Sequence, residues 1–222
     1  MAAAAPSPRT AVRRLPERAA YDRATIHAIL DEGLVCHVGF VADGQPFVIP
    51  TVYARLGERL YLHGSPGSRM LRALTDGAPA CVTVTLVDGL VLARSAFHHS
   101  MNYRSVVLLA TAQPVLDAEE RLAALRAVVE QVVPGRWRDA RRPSAKELAQ
   151  TLVVSLPIAE ASAKLRSGPA REDAEDLELP IWAGEIPLRH AAGEPLADPA
   201  VLHGLAPPDY AARYARPRRA GA

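Results

Sequence analysis

Between residues 34 and 115 the chain is a succession of short apolar or alternating runs broken by turn residues, and that rhythm constrains the fold most. Residues 34–41 and 47–54 flank Ala42-Asp43-Gly44-Gln45. Asp-Gly between two such runs signals a hairpin, because both central residues of a type I′ turn need positive φ. Residues 59–63 follow a turn at Gly57-Glu58, and Cys81-Val82-Thr83-Val84-Thr85-Leu86 alternates with period two, as a half-buried strand does. Asp88-Gly89 reads as a turn into residues 90–96, residues 104–115 are the longest strand candidate, and residues 152–158 supply another. Six or seven strands joined mainly by tight turns predict a mainly β fold with inserted helices, an antiparallel barrel. The Gly-rich βαβ fingerprint of a dinucleotide fold is absent.

Helix signals fall between and after the strands. Asp22 is placed to cap a helix with Ile26, Ile29 and Leu30 on one face, closed by Gly33. Asp117-Ala118-Glu119-Glu120 resembles a capping box opening a helix with Leu122, Leu125, Val129 and Val132 inward, ended by Pro134-Gly135. Ser144-Ala145-Lys146-Glu147 is a second such box. Residues 1–20 read as a flexible N-terminal tail, residues 21–188 as the barrel domain, and the proline-rich residues 189–222 as a loosely ordered C-terminal tail.

At 222 residues and 49% hydrophobic content the chain can bury a full core. A net charge of +2, with 26 basic residues dispersed among 24 acids, gives no basis for a nucleic-acid partner. No run of about 18 apolar residues exists, so no membrane helix is expected, and Met1 to Pro8 is too short and proline-broken for a signal-peptide core. A cytoplasmic protein is the expectation. Cys36 and Cys81 sit in strand-like runs without metal-ligand spacing, and read as small buried hydrophobes in a reducing compartment.

Two polar segments point to a ligand. In His98-His99-Ser100-Met101-Asn102-Tyr103-Arg104-Ser105 an amide, a phenol, a guanidinium and a hydroxyl precede an apolar run. Such a set suits phosphate and carbonyl groups. In Gly64-Ser65-Pro66-Gly67-Ser68-Arg69, Ser65 suits a helix N-cap and Pro66 the first helical position, with Gly77 as the left-handed close. That brings backbone amides, two hydroxyls and Arg69 to one helix start, an anion site. His98 and His99, read as neighbours on a strand, point to opposite faces and cannot share one metal ion.

With both segments on a small barrel, the chain resembles the pyridoxamine 5'-phosphate oxidase-like group of FMN-binding split β-barrel proteins, in the subgroup related to nitroimidazole-resistance proteins. The resemblance runs from about Arg14 to Pro187. It rests on Asp43-Gly44-Gln45-Pro46 with Val48-Ile49-Pro50-Thr51-Val52-Tyr53, on Leu60-Tyr61-Leu62-His63-Gly64-Ser65 leading to Ser68-Arg69-Met70, on Phe97 to Val106, and on Ile181-Trp182-Ala183-Gly184 with Ile186-Pro187. It implies an FMN in a groove at a homodimer interface. Ser65, Ser68 and Arg69 would hold the phosphate, joined by Arg104 and Ser105. Pro50, Thr51 and Val52 would line the isoalloxazine ring through backbone groups, Asn102 and Tyr103 would flank the ring or ribityl chain, and Trp182 would reach the site late in the chain. The basic tail at Ala212 to Arg219 lacks the Arg and His pattern with which the namesake enzymes grip their substrate, so the resemblance implies an oxidoreductase acting on an unidentified small molecule. Two further functions stay open: a haem-binding or haem-degrading split barrel, with His37, His63, His98 or His99 as axial ligand, and a non-catalytic flavin carrier.

Overall fold

Asp43-Gly44 forms the hairpin it predicts. In the computed structural model, which describes residues 3–201 and 204–215, β2 (Val35–Ala42) and β3 (Gln45–Val52) pair antiparallel across it. Asp43 and Gly44 both adopt positive φ, 51° and 75°. Met1 and the Arg216-Pro217-Arg218-Arg219 end of the basic tail lie outside the described residues.

The remaining strands are β1 (Ala19–Ala20), β4 (Ala54–Leu56), β5 (Arg59–Gly64), β6 (Pro79–Leu92), β7 (Ser100–Thr111), β8 (Gln113–Pro114), β9 (Leu152–Pro157), β10 (Ala161–Arg166) and β11 (Gly184–Pro187). One sheet runs β1-β10-β7-β6-β2-β3 with β11 added to β6, and a second runs β4-β5-β9-β8. Their inner faces meet over one core that includes Val38, Val82, Val106, Leu60, Leu62, Val154 and Leu156, and neither sheet closes on the other. The fold is a split β-barrel.

Four helices flank or plug it: α1 (Arg23–Glu32), α2 (Arg69–Thr75), α3 (Ala118–Val132) and the short α4 (Arg136–Asp139), followed by α5 (Ala145–Ala149) and α6 (Asp209–Ala212). Asp22 caps α1 by accepting from the Thr25 amide at 2.8 Å, and Ile26, Ile29 and Leu30 are buried as the 3.6 period requires. Gly33 closes α1 for a different reason from the one expected. Its φ is −68°, so it is not left-handed. A Cβ there would lie 2.5 Å from both Tyr53 Oη and Val84 Cγ1, so the close approach of helix to sheet demands glycine. Gly77, with φ +91°, does take the left-handed close of α2.

Three other expectations change. Asp88-Gly89 is a bulge within β6, not a turn between two strands: the register to β7 shifts between Val87 and Gly89 while pairing continues. The fully buried residues of α3 are Ala124 and Val128; Leu125 packs half-buried against the Tyr61, Val115 and Val153 cluster as expected, whereas Leu122 is 39% exposed. Among the described residues of the N-terminal segment, Ala19 and Ala20 pair with β10 and Thr10 is buried, so this part is attached to the barrel. Part of the C-terminal segment also docks, with Tyr214 Oη donating to the Val132 carbonyl at 2.8 Å.

Candidate functional site

Strand alternation sorts the candidate residues before any ligand is considered. Register aligns Pro50, His37, Thr83, Val107 and Ser162 in one row across β3, β2, β6, β7 and β10. A parallel row on the same face holds Val52, Val35, Thr85, Ser105 and Lys164. This is the outer face of the large sheet, and it leaves Val35, Val48, Val87 and Val107 exposed. Tyr103 and Ser105 belong to it, whereas Asn102 and Arg104 share the opposite face with buried Val106 and Leu108. Four consecutive residues expected around one flavin are thus divided between two faces. Thr51 is likewise inward and Pro50 and Val52 outward, although all three lie on the free edge strand β3, whose backbone remains available along one side.

The inward pair is already engaged. Arg104 donates through Nε and Nη2 to Asp88 at 2.9 and 2.7 Å, and through Nη1 and Nη2 to Glu32 at 2.6 and 2.9 Å. All three side chains are mostly buried. Hydrogen bonds to Asp88 and then Glu32 hold the guanidinium still more firmly protonated than usual. A phosphate brought to Arg104 would meet two carboxylates, so the expected phosphate role passes to a structural one. Asn102 is occupied too: its Nδ2 donates to Glu185 at 2.5 Å and its Oδ1 accepts from Arg166. Ser105 Oγ donates to the Lys164 carbonyl at 3.3 Å.

The loop from β5 to α2 stands differently. Ser68, not Ser65, caps α2, accepting from the Leu71 amide at 3.4 Å. Ser65 instead organises the preceding turn, its Oγ accepting from Gly67 and its carbonyl from Ser68. Pro66 therefore lies in the turn and not at the first helical position. Arg69 stacks over the Phe47 ring of β3 with its guanidinium carbon 4.8 Å from the centroid, and makes no ion pair among the described residues. This contact ties the loop to the edge strand, so Ser65, Ser68 and Arg69 adjoin the strand of Pro50, Thr51 and Val52. Immediately before the loop, the buried Nδ1 of His63 has no partner, and burial pulls that imidazole's pKa down. A phosphate or flavin carbonyl would fit this set of a free cation, two hydroxyls and an orphaned ring nitrogen.

Trp182 is 67% exposed, its ring lying over Gly184, where a Cβ would come within 2.9 Å of it. It does not close the end of its own barrel. Cys36 is buried and burial pushes its thiol up to about 12, but Cys81 lies half-buried on the outer face, a correction to the expectation that both are core residues. Alternation puts the two thiols on opposite faces, and both are free.

A second group of residues was not assembled from the sequence. An open groove of about 300 Å³ is lined by Arg14, Arg18, Arg166 and Arg171 together with Phe97 and His99. His98 and His99 occupy a 3-10 turn (Ala96–His98) and its cap instead of a strand, and both line this groove, contrary to the opposite-face expectation. His98 Nε2 pairs with Asp173 Oδ2 at 3.2 Å, with Asp176 also close by, while His99 Nδ1 lies 3.0 Å from the Ser95 carbonyl. None of the four arginines forms an ion pair among the described residues. Residues 14–18, 97–99 and 166–171 meet because β1 pairs with β10 and β10 with β7, and no local signal announces such a convergence.

A family model described as pyridoxamine 5'-phosphate oxidase matches residues 22–165. No curated protein matches the chain. Among solved structures, the flavocytochrome Anf3 from Azotobacter vinelandii is 44% identical over 94% of this chain and 97% of its own, with a TM-score of 0.88. A protein described as the FAD and heme binding protein from Mycobacterium smegmatis is 38% identical over 87% and 95%, TM-score 0.83. A putative 5-nitroimidazole antibiotic resistance protein from Bacteroides thetaiotaomicron shares the fold at 23% identity over 66% and 85%, TM-score 0.54. With its open two-sheet barrel, its motifs in order and a family match over most of its length, this chain belongs to the pyridoxamine 5'-phosphate oxidase family of split β-barrel proteins.

Proposed function

We propose that the protein is a flavin-dependent oxidoreductase working as a homodimer on a small molecule. The observation that carries the reading is Arg69, a cation without an acidic partner among the described residues, stacked on Phe47 where the Ser65–Ser68 turn meets the edge strand β3. In this reading Ser65, Ser68 and Arg69 hold a flavin phosphate, the β3 backbone at Pro50, Thr51 and Val52 borders the ring, and Tyr103, Ser105 and Trp182 are the outward groups left to meet ring or partner. A flavin, when bound, would supply the redox chemistry. The phosphate site fits FMN, the flavin that the family resemblance implies, and equally the FAD named for the 38% identical relative.

A C2 partner on the outer face would bury Val35, Val48, Val87 and Val107 and provide a second wall for a flat ligand. Titration of flavin-free protein with FMN, FAD and riboflavin tests the assignment. Losing the Arg69 charge-assisted contact costs roughly 2–3 kcal/mol, or about 30- to 150-fold in Kd. Arg69→Ala should weaken FMN or FAD by that factor and riboflavin little. Equal losses for all three ligands would remove the phosphate from this loop.

Haem is proposed as a second prosthetic group. The specific support is that the two relatives named for flavin and haem align over 94% and 87% of this chain, well beyond the 22–165 span of the family model. Reduced-minus-oxidised spectra of the purified protein, with and without added haemin, test it.

A further inference from the structure

We propose that His98, Asp173 and Asp176 form a site for one divalent transition-metal ion, with zinc the ion of best fit. One ligand atom from each of the three lies within 4.8 Å of the other two. Bonds of about 2.0–2.2 Å to an ion place neighbouring ligand atoms roughly 3.0–3.5 Å apart. His98 Nε2 already stands 3.2 Å from Asp173 Oδ2. The protein itself holds this frame in place. His98 ends the 3-10 turn Ala96–His98, and its ring meets the Phe97 ring edge-on, with centroids 5.2 Å apart. The Asp176 amide donates to the Asp173 carbonyl at 3.1 Å, a turn that brings both carboxylates to the imidazole. One residue before Asp173 the segment is anchored. The Glu172 carboxylate, 6% exposed, accepts from the Arg94 amide at 2.5 Å and from Arg94 Nη1 at 2.9 Å.

Asp176 separates this cluster from an ordinary ion pair. A His98–Asp173 pair accounts for two of the three side chains, but Asp176 lies half-buried beside them with no ion pair among the described residues. Two carboxylates held this close repel each other. No arginine or lysine among the described residues pairs with either one: Arg94 is committed to Glu172, and Arg14, Arg18, Arg166 and Arg171 line the groove that His98 borders but Asp173 and Asp176 do not. A cation shared by both carboxylates removes the repulsion. The donor set selects its class. An imidazole nitrogen favours zinc and its transition-metal neighbours over calcium or magnesium, and a set without thiolate does not favour copper(I). Three protein ligands leave a further position for water, which the 72% exposure of Asp173 admits. The bound ion would join His98 to a segment 75 positions away in sequence and so fix the stretch of chain that leads to Trp182.

Full-length protein, dialysed against a chelator, is titrated calorimetrically with zinc chloride in wild type, His98→Ala, Asp173→Asn, Asp176→Asn and the control His99→Ala, with circular dichroism melts to verify folding. Wild type and His99→Ala should bind one zinc ion per chain. Each of the three ligand variants should bind it roughly tenfold or more weakly, since loss of a ligand costs at least as much as loss of an outer partner. Cobalt(II) in place of zinc should give visible absorption bands in wild type that His98→Ala loses. Zinc should also raise the melting temperature of wild type and not that of Asp176→Asn. Asp176→Asn decides the matter, because the substitution breaks no ion pair of the described fold and its loss of zinc cannot be put down to misfolding. Zinc affinity unchanged in Asp176→Asn would reduce the cluster to a histidine–aspartate ion pair and overturn the site. Wild type that takes up no zinc at millimolar concentration would overturn it equally.

Discussion

Removing Arg104 should destabilise the fold and not empty a flavin site. In the structure four N–H···O contacts of 2.6–2.9 Å join its guanidinium to Glu32, the last residue of α1, and to Asp88, the bulge residue of β6. The side chains are 14%, 16% and 28% exposed, little enough that water cannot take over the pairing. Arg104→Met leaves two carboxylates facing each other without a cation, and breaking a buried pair in this way costs about 3–5 kcal/mol. At ~2–4 °C per kcal/mol for a chain of this size, melting should fall by roughly 6–20 °C. The measurement belongs on flavin-free protein, where ligand linkage cannot contribute. Adding Glu32→Gln and Asp88→Asn to Arg104→Met removes the stranded charges and should restore most of the loss. Flavin-free Arg104→Met that melts within about 1 kcal/mol of wild type but no longer binds flavin would refute the structural role and return Arg104 to the phosphate.

Three other outcomes are expected. Val107→Arg on the outer face should convert a dimer of twice 23.8 kDa to monomer by light scattering and expose Cys81, but not Cys36, to a thiol reagent; a wild-type monomer with reactive Cys81 would rule out the interface. Gly33→Ala should cost about 1–3 kcal/mol by forcing a methyl into Tyr53 and Val84, and unchanged urea midpoints would contradict the close packing. His63, whose pKa is lowered by burial, binds its proton more readily when unfolded, so stability should rise with pH up to its ordinary value of 6.5 and decline below it. His63→Gln should flatten that slope, and an identical slope would mean the imidazole does not govern it.

Much of the local architecture was legible from residues close in sequence. The Asp43-Gly44 turn, the Asp22 and Ser144 caps and the left-handed Gly77 each depend on torsions and hydrogen bonds spanning a few residues, which the sequence states directly. The barrel class followed from strand period and turn spacing, and the motif order named the family. The Asp88-Gly89 bulge escaped this logic, because the same dipeptide makes a turn or a bulge depending on whether β7 continues pairing beyond it and β11 comes to lie against Gly89. What only the tertiary structure decided was which polar groups are spoken for. Arg104 finds its carboxylates 72 and 16 residues away, and Asn102 is held between residues 64 and 83 positions distant. The groove gathers arginines from both ends of the chain onto one side of β10. Charge pairing acts through space and is set by sheet register, so a residue's type announces the chemistry available to it, and the fold determines which partner receives it.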